Sequence, residues 1–159
     1  MTRTLFVFLT LLIAGCYSDK PIAALEQAVF DERLLGKWST IDDEGEFIVL
    51  VSRVGEKEYM AIPDTEDDQD EPMRFYITQV GDERFLNARE VHNGKPEGDY
   101  MFGRYTVLNN KQVLIDVPEL DAIPHEVASS KALYDVFREK SGQPGFYDGN
   151  PRVYHRVVD

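Results

Sequence analysis

From Trp38 to its end the chain is a succession of short apolar runs, each one strand long and each followed by turn-forming residues. The runs are Trp38–Ile41, Phe47–Val51, Tyr59–Ile62, Met73–Val80, Phe85–Ala88, Tyr100–Leu108, Val113–Val117 and Val153–Val158. Asp43-Glu44-Gly45, Val54-Gly55-Glu56, Gly81-Asp82 and Asn109-Asn110 supply the turns. Asparagine tolerates positive φ, so the Asn109-Asn110 pair reads as a tight hairpin. Hairpin-sized spacing favours an up-and-down antiparallel meander. An open meander of this length leaves two unpaired edges, and closure into a barrel removes them. The expected fold is therefore mainly β, an eight-stranded antiparallel barrel whose interior either fills with side chains or holds one small ligand.

Two helical segments flank this pattern. A short N-terminal helix is expected before Phe30, where Pro21 suits a helix start and Leu25 and Val29 repeat at i, i+4. Asp31 is placed to cap a second short turn, with Leu34 and Leu35 facing the core and Gly36 supplying the stop. A clearer helix precedes the last strand: Ser129 or Ser130 caps it, Leu133, Val136 and Phe137 form its apolar stripe, and Gly142 and Pro144 end it. Arg138 and Lys140 fall in its last turn, where the helix dipole favours cations. The run Glu46–Val51 is apolar on both faces, so part of the outer wall should be covered, with this helix as the candidate cover.

The first 15 residues have the layout of a secretory leader. Arg3 is the only charge before Asp19, and Leu5 to Ile13 is apolar except for Thr10. That run is shorter than the ~20 residues a membrane-spanning helix needs. It ends in Ile13-Ala14-Gly15-Cys16, and Cys16 is the only cysteine of the chain. This ending resembles the lipobox of bacterial lipoproteins. The resemblance implies that residues 1–15 are removed, that Cys16 is acylated (palmitate among the chains) and becomes the mature N-terminus, and that 16–30 tethers a barrel domain of residues 31–159. Two or three acyl chains on one residue make a durable anchor, since each buried CH₂ contributes about 0.8 kcal/mol. Tyr17, rather than Asp, follows the cysteine. In a Gram-negative envelope the resemblance then implies the outer membrane, facing the periplasm; in a Gram-positive cell, the cytoplasmic membrane.

The chain carries a formal charge of −12, and loss of the leader removes Arg3 and no acid. Phosphate contacts need a basic face, so nucleic-acid binding is not expected. With Cys16 acylated no disulfide is possible, and packing alone must hold the domain.

Leu35-Gly36-Lys37-Trp38, opening the first strand after a short helix, is similar to the G-x-W start of lipocalins and related calycins. Asp99-Tyr100 is similar to their T-D-Y element, with Gly98 where the threonine stands and at a different spacing. The resemblance implies a lipocalin-like barrel in which Trp38 packs at the closed end under an arginine from the last strand, Arg156 first and Arg152 second. Without it, Trp38 is an ordinary core tryptophan. The order of lipobox, short helix, G-x-W, meander, late helix and Tyr/Arg strand also resembles small bacterial lipoproteins with no assigned activity.

No catalytic or metal-ligating constellation stands out. His92, His125 and His155 lie far apart, and His125-Glu126 is not followed by the second histidine of a zinc helix. His92, in Val91-His92-Asn93-Gly94, reads as a solvated loop residue. The acidic run Asp64, Glu66, Asp67, Asp68, Asp70, Glu71 fails the EF-hand pattern, with Gln69 where glycine is required and Phe75 where a bidentate glutamate is required. No cofactor, catalytic residue or metal site is expected. The expectation is a non-enzymatic envelope lipoprotein, anchored through Cys16, whose barrel is a binding or interaction module for an envelope protein. One alternative is a carrier of a small apolar ligand, needing a cavity of at least ~300 Å³ lined by the strand aromatics. Another is an enzyme using His155 beside a carboxylate.

Overall fold

The computed structural model describes residues 17–42, 45–64 and 71–158. Cys16, the leader and the acids between 65 and 70 lie outside the described residues. Eight strands form a closed antiparallel barrel: β2 (Gly36–Asp42), β3 (Gly45–Arg53), β4 (Glu58–Pro63), β5 (Met73–Val80), β6 (Glu83–His92), β7 (Lys95–Asn109), β8 (Gln112–Asp116) and β9 (Arg152–Arg156). Each pairs with the next in sequence, and β9 returns to β2 through Trp38↔Arg156 and Ser39↔His155. Each expected apolar run falls on one of these strands, although Val117 lies past the end of β8 and Val157 and Val158 past the end of β9. One helix, α1 (Ser130–Lys140), precedes the last strand. Ser129 caps it, its side chain accepting from Ala132 N at 3.1 Å.

Alternation sorts the strand residues into two cores. Inward-facing Trp38, Tyr59, Met73, Phe75, Ile77, Met101, Tyr105 and Val113 form the barrel core. A second core lies outside the wall, where Val80, Phe85 and Phe102 meet Leu133 and Phe137 of α1, together with Ile22, Ile123 and Phe146. Phe137 is its hub: its ring meets Phe85 at 4.8 Å, Phe102 at 5.4 Å and Phe146 at 5.6 Å, all edge-on. The helix thus covers β5–β7. It does not cover the Glu46–Val51 run, whose outward Leu50 stays exposed opposite the exposed Ile62.

Two local readings change. The short helix expected before Phe30 is only a 3-10 turn, Leu25–Gln27, while the second short turn, Glu32–Leu34, forms as expected with Asp31 as its cap. Leu25 and Val29 do not share a helical face; Val29 is extended and forms a bridge with Ile77. The tether also begins inside the domain. Tyr17–Ser18 form a short strand, β1, paired with Met101 and Tyr100 of β7. Ile22 is fully buried, its N–H donating to Asn87 Oδ1 at 2.8 Å, and Tyr76 donates to the Ala23 carbonyl at 2.7 Å. Burying these backbone groups requires such partners, and the wall supplies them. Among the described residues, the segment from Tyr17 to Phe30 is already packed on the barrel wall.

The β6–β7 hairpin also differs. Phe85–Ala88 extends to His92, and β7 starts at Lys95, so Asn93-Gly94 is a two-residue turn with φ of 50° and 76°. Those values are what a hairpin turn with both central residues at positive φ requires. Among the described residues Asn93 is the only non-glycine at positive φ, so the Asn109-Asn110 region turns without it.

Candidate functional site: an apolar barrel cavity with one closed and one acidic end

The barrel is not completely filled. Its inward positions include three small residues at neighbouring heights: Ala61 opposite Met73, Ala88 opposite Phe75, and Gly103 opposite Leu86. They leave a cavity of about 120 Å³. Val49, Val51, Met73, Phe75, Leu86 and Ile115 supply much of its wall. Among the described residues that line it, Glu71 is the only charged one. The volume is below the ~300 Å³ expected of a carrier for a drug-sized ligand. It is close to a 150 Å³ apolar cavity that stays dry and holds benzene. A wider hollow between α1 and the N-terminal segment has a mixed lining, with Ile22, Ala23 and Tyr134 beside Gln27, Thr78 and Gln79, and its charges satisfy one another: Asp135 pairs with Lys131 at 2.6 Å and Arg138 at 3.3 Å.

The closed end is built from the N-terminal turn and the last strand. Leu34 plugs the barrel below Trp38, whose indole N–H donates to the Leu34 carbonyl at 2.9 Å. Arg156 lies over the Trp38 ring with its guanidinium carbon 4.3 Å from the ring centroid. It also donates to the carbonyls of Leu35 at 2.7 Å, Arg33 at 2.6 Å and Asn110 at 3.0 Å. Gly36 makes room for it. A Cβ there would sit 2.7 Å from Arg156 Nη1, and the residue's φ of +119° disfavours any side chain. The glycine and tryptophan of the G-x-W element therefore serve one contact. Arg152, the second candidate, is at the other end of β9 and pairs with Asp148 at 2.7 Å.

Beside this latch lies a buried carboxylate that the sequence suggested only as a cap. Asp31 accepts from Arg33 Nε at 2.8 Å and Nη2 at 2.7 Å, from Arg33 N at 3.1 Å, and from Arg84 Nη1 at 2.9 Å. Tyr105 donates to the same carboxylate at 3.2 Å. The Arg33 hydrogen bond is the main cause holding Asp31 below the usual carboxylate range, against the opposing effect of burial. Tyr59 is pushed up to about 12 chiefly by burial, and Tyr105 likewise. Tyr59 joins turn to barrel: its hydroxyl accepts from Asp31 N at 2.6 Å and donates to Asp31 O at 3.2 Å. Its ring stacks between Phe30 and Phe75.

The opposite end is open and acidic. Glu90, directly opposite Met73 in the β5–β6 pair, shares that residue's inward face. His92 stands between two carboxylates, Nε2 3.2 Å from Glu90 and Nδ1 3.6 Å from Glu71. It is a half-buried strand residue rather than a solvated loop residue. Tyr17 is pushed up to about 12, first by burial and second by the Glu90 charge. The other histidines stand elsewhere. His125 pairs with Asp99 at 2.7 Å on the surface. His155 is exposed beside Gln112, 3.4 Å away, and not beside a carboxylate in a cleft. Among the described residues no group of three or more His, Cys, Asp or Glu is arranged to hold a metal ion, and no helix is long and apolar enough to cross a membrane.

The closed eight-stranded antiparallel barrel fits a lipocalin-like fold. No protein family, curated protein or solved structure matches the chain.

Proposed function

We propose that this chain is an envelope lipoprotein, anchored through acylated Cys16, whose barrel is a non-enzymatic binding module that takes a small apolar group into its cavity. The carrying observation is the cavity itself: about 120 Å³, walled by apolar side chains and closed at one end by the Trp38–Arg156 latch. Such a space excludes water at a cost that an apolar occupant relieves. The wall supplies contact rather than reacting groups. The volume favours a single short chain or ring over the larger cargo of a drug-sized carrier. The anchoring part of the reading rests on Ile13-Ala14-Gly15-Cys16. Because Tyr17 is itself paired with Met101 of β7, an acylated Cys16 would hold the barrel close to the bilayer.

Two experiments test the two parts. The neutral probe 1-pentanol should shift the emission of Trp38, the only tryptophan, in a saturable manner. Ala88→Leu, which fills the cavity, should abolish that response while the chain stays folded. A response unchanged by Ala88→Leu would place the probe elsewhere and defeat the cavity reading. For the anchor, a Cys16→Ser chain exported behind an ordinary cleavable leader should leave the membrane fraction. If it still sediments with membranes, the lipid anchor is not what holds it.

A further inference from the structure

The mouth of the cavity is charged with one sign. Glu71 lines the opening, Glu90 faces inward beside it, and His92 bridges the two at 3.6 and 3.2 Å. Glu97, opposite Glu90 in the β6–β7 pair, adds a third carboxylate. The basic groups at this end are engaged elsewhere or exposed. Lys95 is exposed at the hairpin turn opposite His92, Arg152 is matched by Asp148 at 2.7 Å and Arg74 by Glu58 at 2.7 Å, and Arg89, next to Glu90 and so on the opposite face of the strand, lies over the Tyr100 ring at 4.5 Å. An occupant whose apolar end fills the cavity must leave its polar end at this rim. Carboxylates at that rim act through a medium between water and protein interior, and partial burial limits their screening by salt.

We propose that the cavity selects amphiphiles with a cationic head, such as short-chain alkylamines, over neutral analogues and against alkyl carboxylates. This rests on the cavity-binding reading above. It adds the head-group chemistry that the apolar wall alone leaves open. The tail is short: on the scale of a 150 Å³ cavity that holds benzene, 120 Å³ takes roughly five carbons. At neutral pH an alkylamine is protonated and an alkyl carboxylate ionised, so a series matched to a five-carbon tail differs at the rim chiefly in charge.

The test uses the full chain in phosphatidylcholine vesicles, with empty vesicles as reference. Pentylammonium, 1-pentanol and hexanoate are titrated at low and moderate salt, and Trp38 emission is read, with the thermal midpoint as a second readout. Pentylammonium should bind at least about tenfold more tightly than hexanoate, with pentanol between them, and the ratio should shrink as salt rises. In Glu71→Gln/Glu90→Gln the ratio should fall to about twofold while pentanol affinity is retained. Equal binding of all three probes, or preference for hexanoate, overturns the head-group inference and leaves the cavity reading standing. A preference unchanged in the double variant overturns the assignment to these two carboxylates. If none of the three binds, the cavity reading fails and the inference with it. The wild-type series decides the matter even if the double variant does not fold.

Discussion

Removing Arg156 should unlatch the closed end of the barrel, and the cost can be worked from its contacts. Arg156→Ala loses the stacking over Trp38 at 4.3 Å, about 1 kcal/mol for a partly desolvated cation–π pair. It also loses a charge-assisted hydrogen bond to the part-buried Leu35 carbonyl at 2.7 Å, about 1.5 kcal/mol. The Arg33 and Asn110 carbonyls lie at the surface, so water replaces the guanidinium there and each adds only a few tenths. The expected loss is about 3 kcal/mol. Arg156→Lys should recover less than half of it, because an ammonium cannot reach three carbonyls and lie flat on an indole at once. Gly36→Ala supplies the cross-check. Its Cβ meets Arg156 Nη1 at 2.7 Å and its φ is +119°, so in the wild-type background it combines a clash with about 1–3 kcal/mol of backbone strain. In the Arg156→Ala background only the strain remains. The double-mutant cycle should show a coupling of at least about 1 kcal/mol. Urea unfolding followed by the emission of Trp38 measures all four proteins, with the slope checked for two-state behaviour. A loss below about 0.5 kcal/mol for Arg156→Ala, or strict additivity with Gly36→Ala, would refute the latch.

Phe137→Ala should cost about 3–5 kcal/mol, because its fully buried ring joins Phe85, Phe102 and Phe146; thermal unfolding by circular dichroism should show the loss, and a change under 1 kcal/mol would mean that α1 does not seal the outer wall. Asp31→Asn should cost about 2 kcal/mol at pH 7, since it weakens hydrogen bonds from Arg33, Arg84 and Tyr105 to a buried carboxylate. The wild-type pKa of Asp31 is lowered in the fold, so its contribution is present above the unfolded value of about 3.9 and is lost as pH falls through the folded value. Stability measured between pH 2 and 5 should therefore fall less steeply in Asp31→Asn than in the wild type; parallel curves would remove Asp31 from the acid response.

The strands and the late helix were legible because their signals are local. Eight apolar runs bounded by turn residues fall on eight strands, and Ser129, Leu133 and Phe137 occupy the cap and buried stripe of α1. Trp38 and Arg156 could be paired in advance only through the G-x-W resemblance; spacing alone says nothing about residues that far apart. What stayed hidden depends on tertiary partners. Tyr17–Ser18 is too short for any periodicity, and it is a strand only because β7 extends past β8 and offers a free edge. The i, i+4 spacing of Leu25 and Val29 looked helical, yet the segment is pulled extended by Asn87, Tyr76 and the Ile77 carbonyl. The end of β6 and the start of β7 are polar and lack an apolar run, so the hairpin there is marked in the sequence only by Asn93-Gly94. The cavity was invisible for a similar reason. Ala61, Ala88 and Gly103 are unremarkable singly, and only the register sets these small residues on successive inward rows of the barrel.

Binding of an apolar group requires that the space beside these three residues be empty and apolar. Crystals of the domain held under xenon pressure measure this directly, since xenon enters dry apolar cavities and ignores polar ones. Xenon density bounded by Ala61, Ala88, Gly103 and Phe75 is the predicted result, and it should disappear in Ala88→Leu. Side chains filling that space, or ordered water in place of xenon, would contradict the claim that this barrel is built to receive an apolar group.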